Sequence, residues 1–212
     1  MKIWKRFLAL GLVTIITAMM FVGCGSSDIS EGVAKNDYPI TINGVTLNSQ
    51  PTGVAVLSQN IADVILTGGF EATLKAKSED CTQEDLSILP NLTIDDVQEM
   101  KNLGVTLVLV DAAPTEQQTA ALEAQGIQVL AISPAKSRDD CKRLYREVGS
   151  AMVGGNTGYT KGEKACDNVF YTLDDITRLV PSTGTQYTAC YLYDLEGHVA
   201  TGNSLFGSLI SY

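Results

Sequence analysis

The stretch that most constrains this 212-residue chain runs from Val105 to Ile132. Val105-Thr-Leu-Val-Leu-Val110 is an almost unbroken apolar, β-branched run; Thr115 to Gln125 has helical composition and stops at Gly126; Ile127-Gln-Val-Leu-Ala-Ile132 is a second apolar run. Strand, helix and strand at this spacing form a β-α-β unit, whose two strands lie parallel with the helix crossing over one face of the sheet. Parallel sheets are covered on both faces, so the flanking sequence should supply further units of the same kind.

It does. Gly53-Val-Ala-Val-Leu57 reads as a buried strand, Ser58-Gln59-Asn60 as cap-type residues before a helix over Ile61 to Leu66, and Gly68-Gly69 as that helix's end. A short strand is expected near Ala72 to Ala76, then a polar loop over Lys77 to Glu84, then a short capped helix from Thr93 to Met100 that carries Asp95 and Asp96. Ser137 to Val153 is amphipathic, with Cys141, Leu144, Val148 and Met152 near one face, and Gly154-Gly155 breaks it. Upstream, Asn43-Gly44 between alternating residues predicts a hairpin within Tyr38 to Asn48. Residues 38–157 therefore read as a three-layer, Rossmann-like α/β lobe with a mainly parallel sheet. The ligand crevice of such a sheet lies beyond the carboxyl ends of its strands. Here those ends lead into Ser58-Gln59-Asn60, Asp111-Ala112-Ala113-Pro114 and Ser133-Pro134-Ala135.

A long segment follows. Tyr159 to Val180 lacks proline, and Ala165, Val169, Phe170, Leu173, Ile176 and Leu179 recur near helical spacing. One helix within residues 158–181 would extend about 33 Å, a length suited to a spacer between two lobes. Gln186 to Leu195 then reads as a strand, and Asn203-Ser204 as the cap of a helix over Leu205 to Ile210. One strand and part of a helix cannot enclose a core, so residues 185–212 read as the start of a second α/β lobe that is truncated.

The N-terminus sets the compartment. Lys2, Lys5 and Arg6 precede an uncharged, largely apolar run from Phe7 to Val22, which is the pattern of a secretory signal peptide over residues 1–23. Residues 24–37 are mostly small and polar, the composition of a flexible tether. Removing the signal peptide leaves twelve basic against 24 acidic residues, a net charge of −12. Nucleic acid is excluded as a partner on that balance. Beyond Cys24, the cysteines are Cys81, Cys141, Cys166 and Cys190. In an extracytoplasmic compartment they are either buried thiols or two bridges, in any of three pairings, and their spacing gives no zinc signature.

The chemistry of most enzymes is missing. No phosphate-binding glycine loop is present, and one histidine, His198, cannot build a relay or a metal cage; its place beside Gly197 marks it as an exposed turn residue. Ser58, Ser133 and Ser204 lack a nucleophile elbow and read as helix caps. Asp95 and Asp96, adjacent in sequence, do not make a paired-carboxylate site.

The residues now assembled carry two resemblances. Phe21-Val-Gly-Cys24 resembles the lipobox of bacterial lipoproteins, with Phe21 where leucine is usual, which implies a lipid on Cys24 and anchoring to the outer face of a membrane. Residues 38 to 210 resemble the substrate-binding lipoproteins of ABC importers of the iron-siderophore, haem and cobalamin class. Val54 to Ile65 is similar to that family's first strand and helix, Ser78-Glu-Asp-Cys-Thr82 to the loop after its second strand, Leu92 to Val110 to its short helix and next strand, and Tyr159 to Val180 to its inter-lobe helix. Asn102-Leu-Gly-Val-Thr106 replaces the family's usual Lys-Pro-Asp. Tyr191 to Leu195 and Gly202 to Phe206 look like the beginning of its second lobe.

The resemblance implies two lobes joined by one helix, a ligand held between them, no catalysis and no resident cofactor. It implies an ABC permease and its ATPase subunits as partners, with a metal chelate or tetrapyrrole as ligand. Contacts would come from Ser58, Gln59, Asn60, Asp80, Thr82, Asp111, Ala112 and Ser133, and from Tyr193, Asn203, Ser204 and Phe206 of the second lobe. Asp95 occupies a position like the family's first-lobe permease-docking acid, and serves equally well as an acid favourable to a helix dipole. A surface-interaction lipoprotein and a non-functional fragment of a binding protein are the alternatives.

Overall fold

The computed structural model describes residues 37–179, 190–192, 194–201 and 204–210. It opens with an antiparallel hairpin of β1 (Ile40–Ile42) and β2 (Val45–Leu47), in register Ile40 to Leu47. Asn43 and Gly44 turn it with φ of 49° and 83°, the left-handed pair that a two-residue hairpin needs and that Asn-Gly adopts at least cost. Asn43 Nδ2 also donates to the Ala131 carbonyl at 3.0 Å, tying the hairpin to the main sheet.

That sheet is formed by β3 (Val54–Val56), β4 (Leu74–Lys77), β5 (Leu107–Val110) and β6 (Gln128–Ala131), all parallel, in the order β4-β3-β5-β6. Side chains alternate between its faces. Val54, Val56, Leu107, Leu109 and Leu130 enter one core with Ile61 and Ile65 of α1 (Gln59–Gly68) and Leu144, Val148 and Met152 of α4 (Arg138–Val153). Ala55, Ala76, Val108 and Val110 enter the other with Leu92, Met100 of α2 (Val97–Asn102) and Leu122 of α3 (Glu116–Glu123). Helices thus cover both faces, the three-layer α/β arrangement expected from the strand spacing.

Three expectations need correction. The long helix, α5 (Gly155–Leu179), begins four residues before Tyr159, because only Gly154 turns and Gly155 already starts the next helix. Asp37 makes this early start possible: its carbonyl accepts from Gly155 N–H at 2.9 Å and its Oδ1 from Asn156 N–H at 3.1 Å, satisfying two of the helix's first donors. The short helix expected from Thr93 starts only at Val97, so Asp95 and Asp96 precede it. Asp96 Oδ2 accepts from both the Thr93 N–H and the Thr93 hydroxyl at 2.7 Å, a local ring that competes with helix. Of the strand expected over 186–195, the described part contributes one antiparallel bridge, Leu192 to Val199, around a turn at Asp194 to Gly197. The final helix, α6 (Leu205–Ile210), forms as expected, with the Ser204 hydroxyl accepting from Gly207 N–H at 3.1 Å.

Candidate functional site

The carboxyl ends of β3, β4 and β5 converge. Leaving β3, the chain reaches Ser58, whose extended backbone makes it the N-cap of α1; its hydroxyl accepts from Ile61 N–H at 3.4 Å and donates to Asp111 Oδ2 at 3.1 Å. Ser58 is only 3 % exposed. One buried hydroxyl therefore fixes both the start of α1 and the carboxylate at the end of β5. Leaving β4, Ser78 N–H donates to the Val56 carbonyl at 2.9 Å, and the Ser78 hydroxyl lies 3.2 Å from the Cys81 thiol, itself 3.7 Å from the Val56 carbonyl. These bonds fold the Ser78–Cys81 loop back over the strand end.

The opposite wall is the segment after Pro90. It runs beside β4, with Lys77 N–H donating to the Pro90 carbonyl at 3.0 Å and Leu92 N–H to the Lys77 carbonyl at 2.7 Å. The buried Lys77 ammonium donates to Asn91 Oδ1 at 2.7 Å and is thus used inside the wall. At the start of α3, Thr115 and Gln118 make a reciprocal capping box. The Gln118 amide is shared: its Oε1 accepts from Thr115 N–H at 3.1 Å while its Nε2 donates to Asp95 Oδ1 at 3.0 Å.

Between these parts lies a depression of about 470 Å³, lined on its apolar side by Leu57, Leu92, Ile94, Val110 and Pro114, and on its polar side by Ser78, Glu79, Asp80, Thr93, Asp111 and Gln118. Three carboxylates line it, and no lysine or arginine does so among the described residues. Its size and mixed lining suit one face of a compact organic molecule or metal chelate.

Of the residues expected to touch ligand, Asp80, Asp111 and Ala112 line this depression, and Ser58 supports it from below through Asp111. Gln59 and Asn60 open α1 and Thr82 lies on the loop after β4; all three are exposed and do not line it. Ser133 stands after β6, where its carbonyl accepts from Arg143 Nη2 at 3.1 Å. Asp95 is exposed at the rim, held by Gln118. Ser204 caps α6, and Phe206 stacks on Tyr191 with ring centres 4.3 Å apart. Cys24, Tyr193 and Asn203 lie outside the described residues. His198 is exposed in its turn, its Nδ1 2.5 Å from Asp194 Oδ2, a contact that holds the Asp194 carboxyl below its ordinary range. Gln118, Thr93 and Ile94 were not expected at the site. The Thr115-x-x-Gln118 spacing announces a helix start but not which wall the amide faces.

No family model matches the chain, and no curated protein matches it in sequence. Its fold is shared with solved structures of binding proteins. A possible iron-binding (periplasmic solute-binding) protein from Staphylococcus epidermidis ATCC 12228 superposes with a TM-score of 0.60 at 13 % identity, over 77 % of this chain and 65 % of that one. The periplasmic haem-binding protein RhuT from Roseiflexus sp. RS-1, in its apo form, gives 0.55 at 20 % identity, over 77 % of this chain and 64 % of that one. The haem-binding protein HmuT gives 0.51 at 17 % identity, over 65 % and 47 %. The chain therefore spans about half to two-thirds of the length of these proteins.

Proposed function

We propose that this chain is an extracytoplasmic solute-binding lipoprotein that captures an iron-siderophore, haem or cobalamin-like ligand and delivers it to an ABC permease, without catalysis. One observation carries the reading: loops from three parallel strands build a single amphipathic depression at the carboxyl edge of a sheet whose fold is shared with iron- and haem-binding proteins. In this reading Asp80, Asp111 and Ala112 touch ligand, and Ser58 positions Asp111. Gln118 and Ile94 complete the wall. The segment bearing Tyr193, Asn203, Ser204 and Phe206 belongs to the facing lobe, and α5 joins the two. A diacylglyceryl group on Cys24 keeps the acidic domain near the membrane, and Asp95 is the first-lobe contact for the permease.

The lining narrows the ligand. Glu79, Asp80 and Asp111 face one depression with no basic partner in its described lining, so a ligand of net negative charge meets repulsion there that a neutral or cationic one does not. Neutral hydroxamate–iron complexes and cobalamins are therefore favoured over carboxylate-rich chelates.

The test is thermal protection of the chain without its signal peptide by a panel of iron-hydroxamate, iron-catecholate, haem and cobalamin ligands. Saturation at about 100-fold above Kd stabilises by about 2.7 kcal/mol, a rise of roughly 5–10 °C for a domain of this size. Asp111→Asn should weaken cationic members of the panel more than neutral ones. No shift with any member would overturn the proposal.

A further inference from the structure

Helices α4 and α5 run antiparallel in close contact, and the contact has a register. A Cβ added at Gly149 of α4 would lie 2.3 Å from the Gly158 carbonyl oxygen of α5; one added at Gly158 would lie 2.0 Å from the Gly149 oxygen. Four residues further along each helix, a Cβ at Gly162 would lie 2.1 Å from the Tyr145 carbonyl oxygen. The two backbones therefore touch at Gly149 against Gly158 and at Tyr145 against Gly162. Since residues four apart share a helix face, the next step along that face brings Cys141 opposite Cys166.

Ion pairs bracket the same level. Lys142 Nζ lies 3.4 Å from Glu163 and 3.0 Å from Asp167, and Arg138, one turn beyond, binds Asp174 through both guanidinium nitrogens at 2.7 Å while stacking over Phe170. Cys166 is 1 % exposed although Asp167 beside it is exposed, so its side chain points between the helices; Cys141 is half-buried. Both are thiols in this structure.

We propose that Cys141 and Cys166 are a disulfide-forming pair that staples the first half of α5 to α4. The two remaining described cysteines are placed otherwise. Cys81 is wholly buried against Ser78 and Val56, and Cys190 is exposed. Oxidation requires a disulfide-bearing partner, small molecule or protein. The Cys141 thiolate, the more accessible, attacks one sulfur of that disulfide and expels the other as thiolate. The Cys166 thiolate then attacks Cys141 Sγ and expels the second. The two cysteine protons end on the two released thiolates, so the pair loses two electrons and the partner's disulfide becomes two thiols. Burial pushes the Cys166 thiol up to about 11, which makes the second step the slow one. The bridge closes the helix-corner-helix around Gly154, a loop of about 25 residues.

The experiment uses the reduced, folded chain from residue 25 onward, without the signal peptide and Cys24. It is incubated with oxidised glutathione, quenched by acid, unfolded, alkylated with N-ethylmaleimide, digested and read by mass spectrometry. The expected product carries adducts on Cys81 and Cys190 only, with the Cys141 and Cys166 peptides joined and lighter by two hydrogens. Dithiothreitol should then lower its Tm by at least about 5 °C, and should leave Cys141→Ser unchanged. Four adducts, a lasting glutathione adduct on Cys141, or a bridge to Cys81 or Cys190 would each overturn the pairing. None of these readouts depends on ligand binding.

Discussion

Replacing Gly158 by alanine tests how α5 is seated on the lobe. The added methyl would lie 2.0 Å from the Gly149 carbonyl oxygen and 2.7 Å from the Ser150 nitrogen. Neither neighbour is a side-chain tip that can swing away; both are backbone of α4. Ordinary contact begins near 3.4 Å, so the helices must part by about 1.4 Å, in an interior packed too tightly to absorb it. Overpacking of this kind costs about 1–3 kcal/mol and sometimes more, and the parting also loosens Val148, Ala151 and Phe170, all buried. Alanine's better helix propensity returns about 1 kcal/mol. Because the clash is with backbone, its cost sits at the top of that range, and the net expectation is a loss of about 2 kcal/mol, or roughly 4–8 °C in Tm. Urea denaturation followed by far-UV circular dichroism measures it, with Asn168→Ala, exposed on the same helix, as a control that should be neutral or slightly stabilising. A Gly158→Ala variant as stable as the unmodified chain would refute the close-contact register and with it the placement of Cys141 opposite Cys166.

Other expectations follow from single contacts. Ser58→Ala removes the cap on Ile61 N–H and leaves Asp111 without this donor; a loss of about 1–2 kcal/mol in urea denaturation is expected, with little change in the slope. Asn43→Val forces a β-branched residue into φ of 49° and deletes the bond to Ala131, so proteolysis should begin at the hairpin before the main sheet opens. In the reduced protein, burial favours the neutral Cys166 thiol; its contribution is complete below its ordinary value of 9.0 and is lost as pH rises towards about 11. Stability measured at pH 8 and pH 10.5 should therefore fall more in the reduced chain than in Cys166→Ala, and equal falls would contradict this.

The parts of the fold legible in the sequence are those fixed by local chemistry. Asn43-Gly44 specified its turn, and Ser58, Thr115 and Ser137 each cap the helix they precede. Three of the strands match short runs of apolar and β-branched residues, because strands buried on both faces are apolar throughout. What stayed hidden depends on distant partners. Of the apolar residues that the spacing singled out on α5, Phe170 is buried, but Val169, Ile176 and Leu179 are exposed; the buried stripe is Gly158, Gly162, Cys166 and Phe170. Glycine carries no hydrophobic signal, and only the backbone of α4 explains its place there. The Thr93 segment misled for a related reason: Asp96 reads as a first-turn acid, but its carboxylate folds back on Thr93 and holds helix off until Val97. The Asp111 loop was legible from the strand ends and the Asp80 loop from the family resemblance, while the Ser133 loop, named on the same ground as Asp111, does not line the depression. The facing wall, Leu92 to Ile94 and Gln118, is assembled by contacts that no local pattern encodes.

The proposed ligand site, at the carboxyl edge of the parallel sheet, can be mapped residue by residue. The most direct measurement is the change in backbone amide NMR shifts of the isotope-labelled chain when a protecting member of the ligand panel is titrated in. The largest changes are expected on Leu57 to Asn60, Ser78 to Thr82, Leu92 to Ile94, Asp111 to Ala113 and Gln118. Changes concentrated instead at the opposite edge of the sheet, on Gly53, Gly104 and Gly126, would contradict that placement.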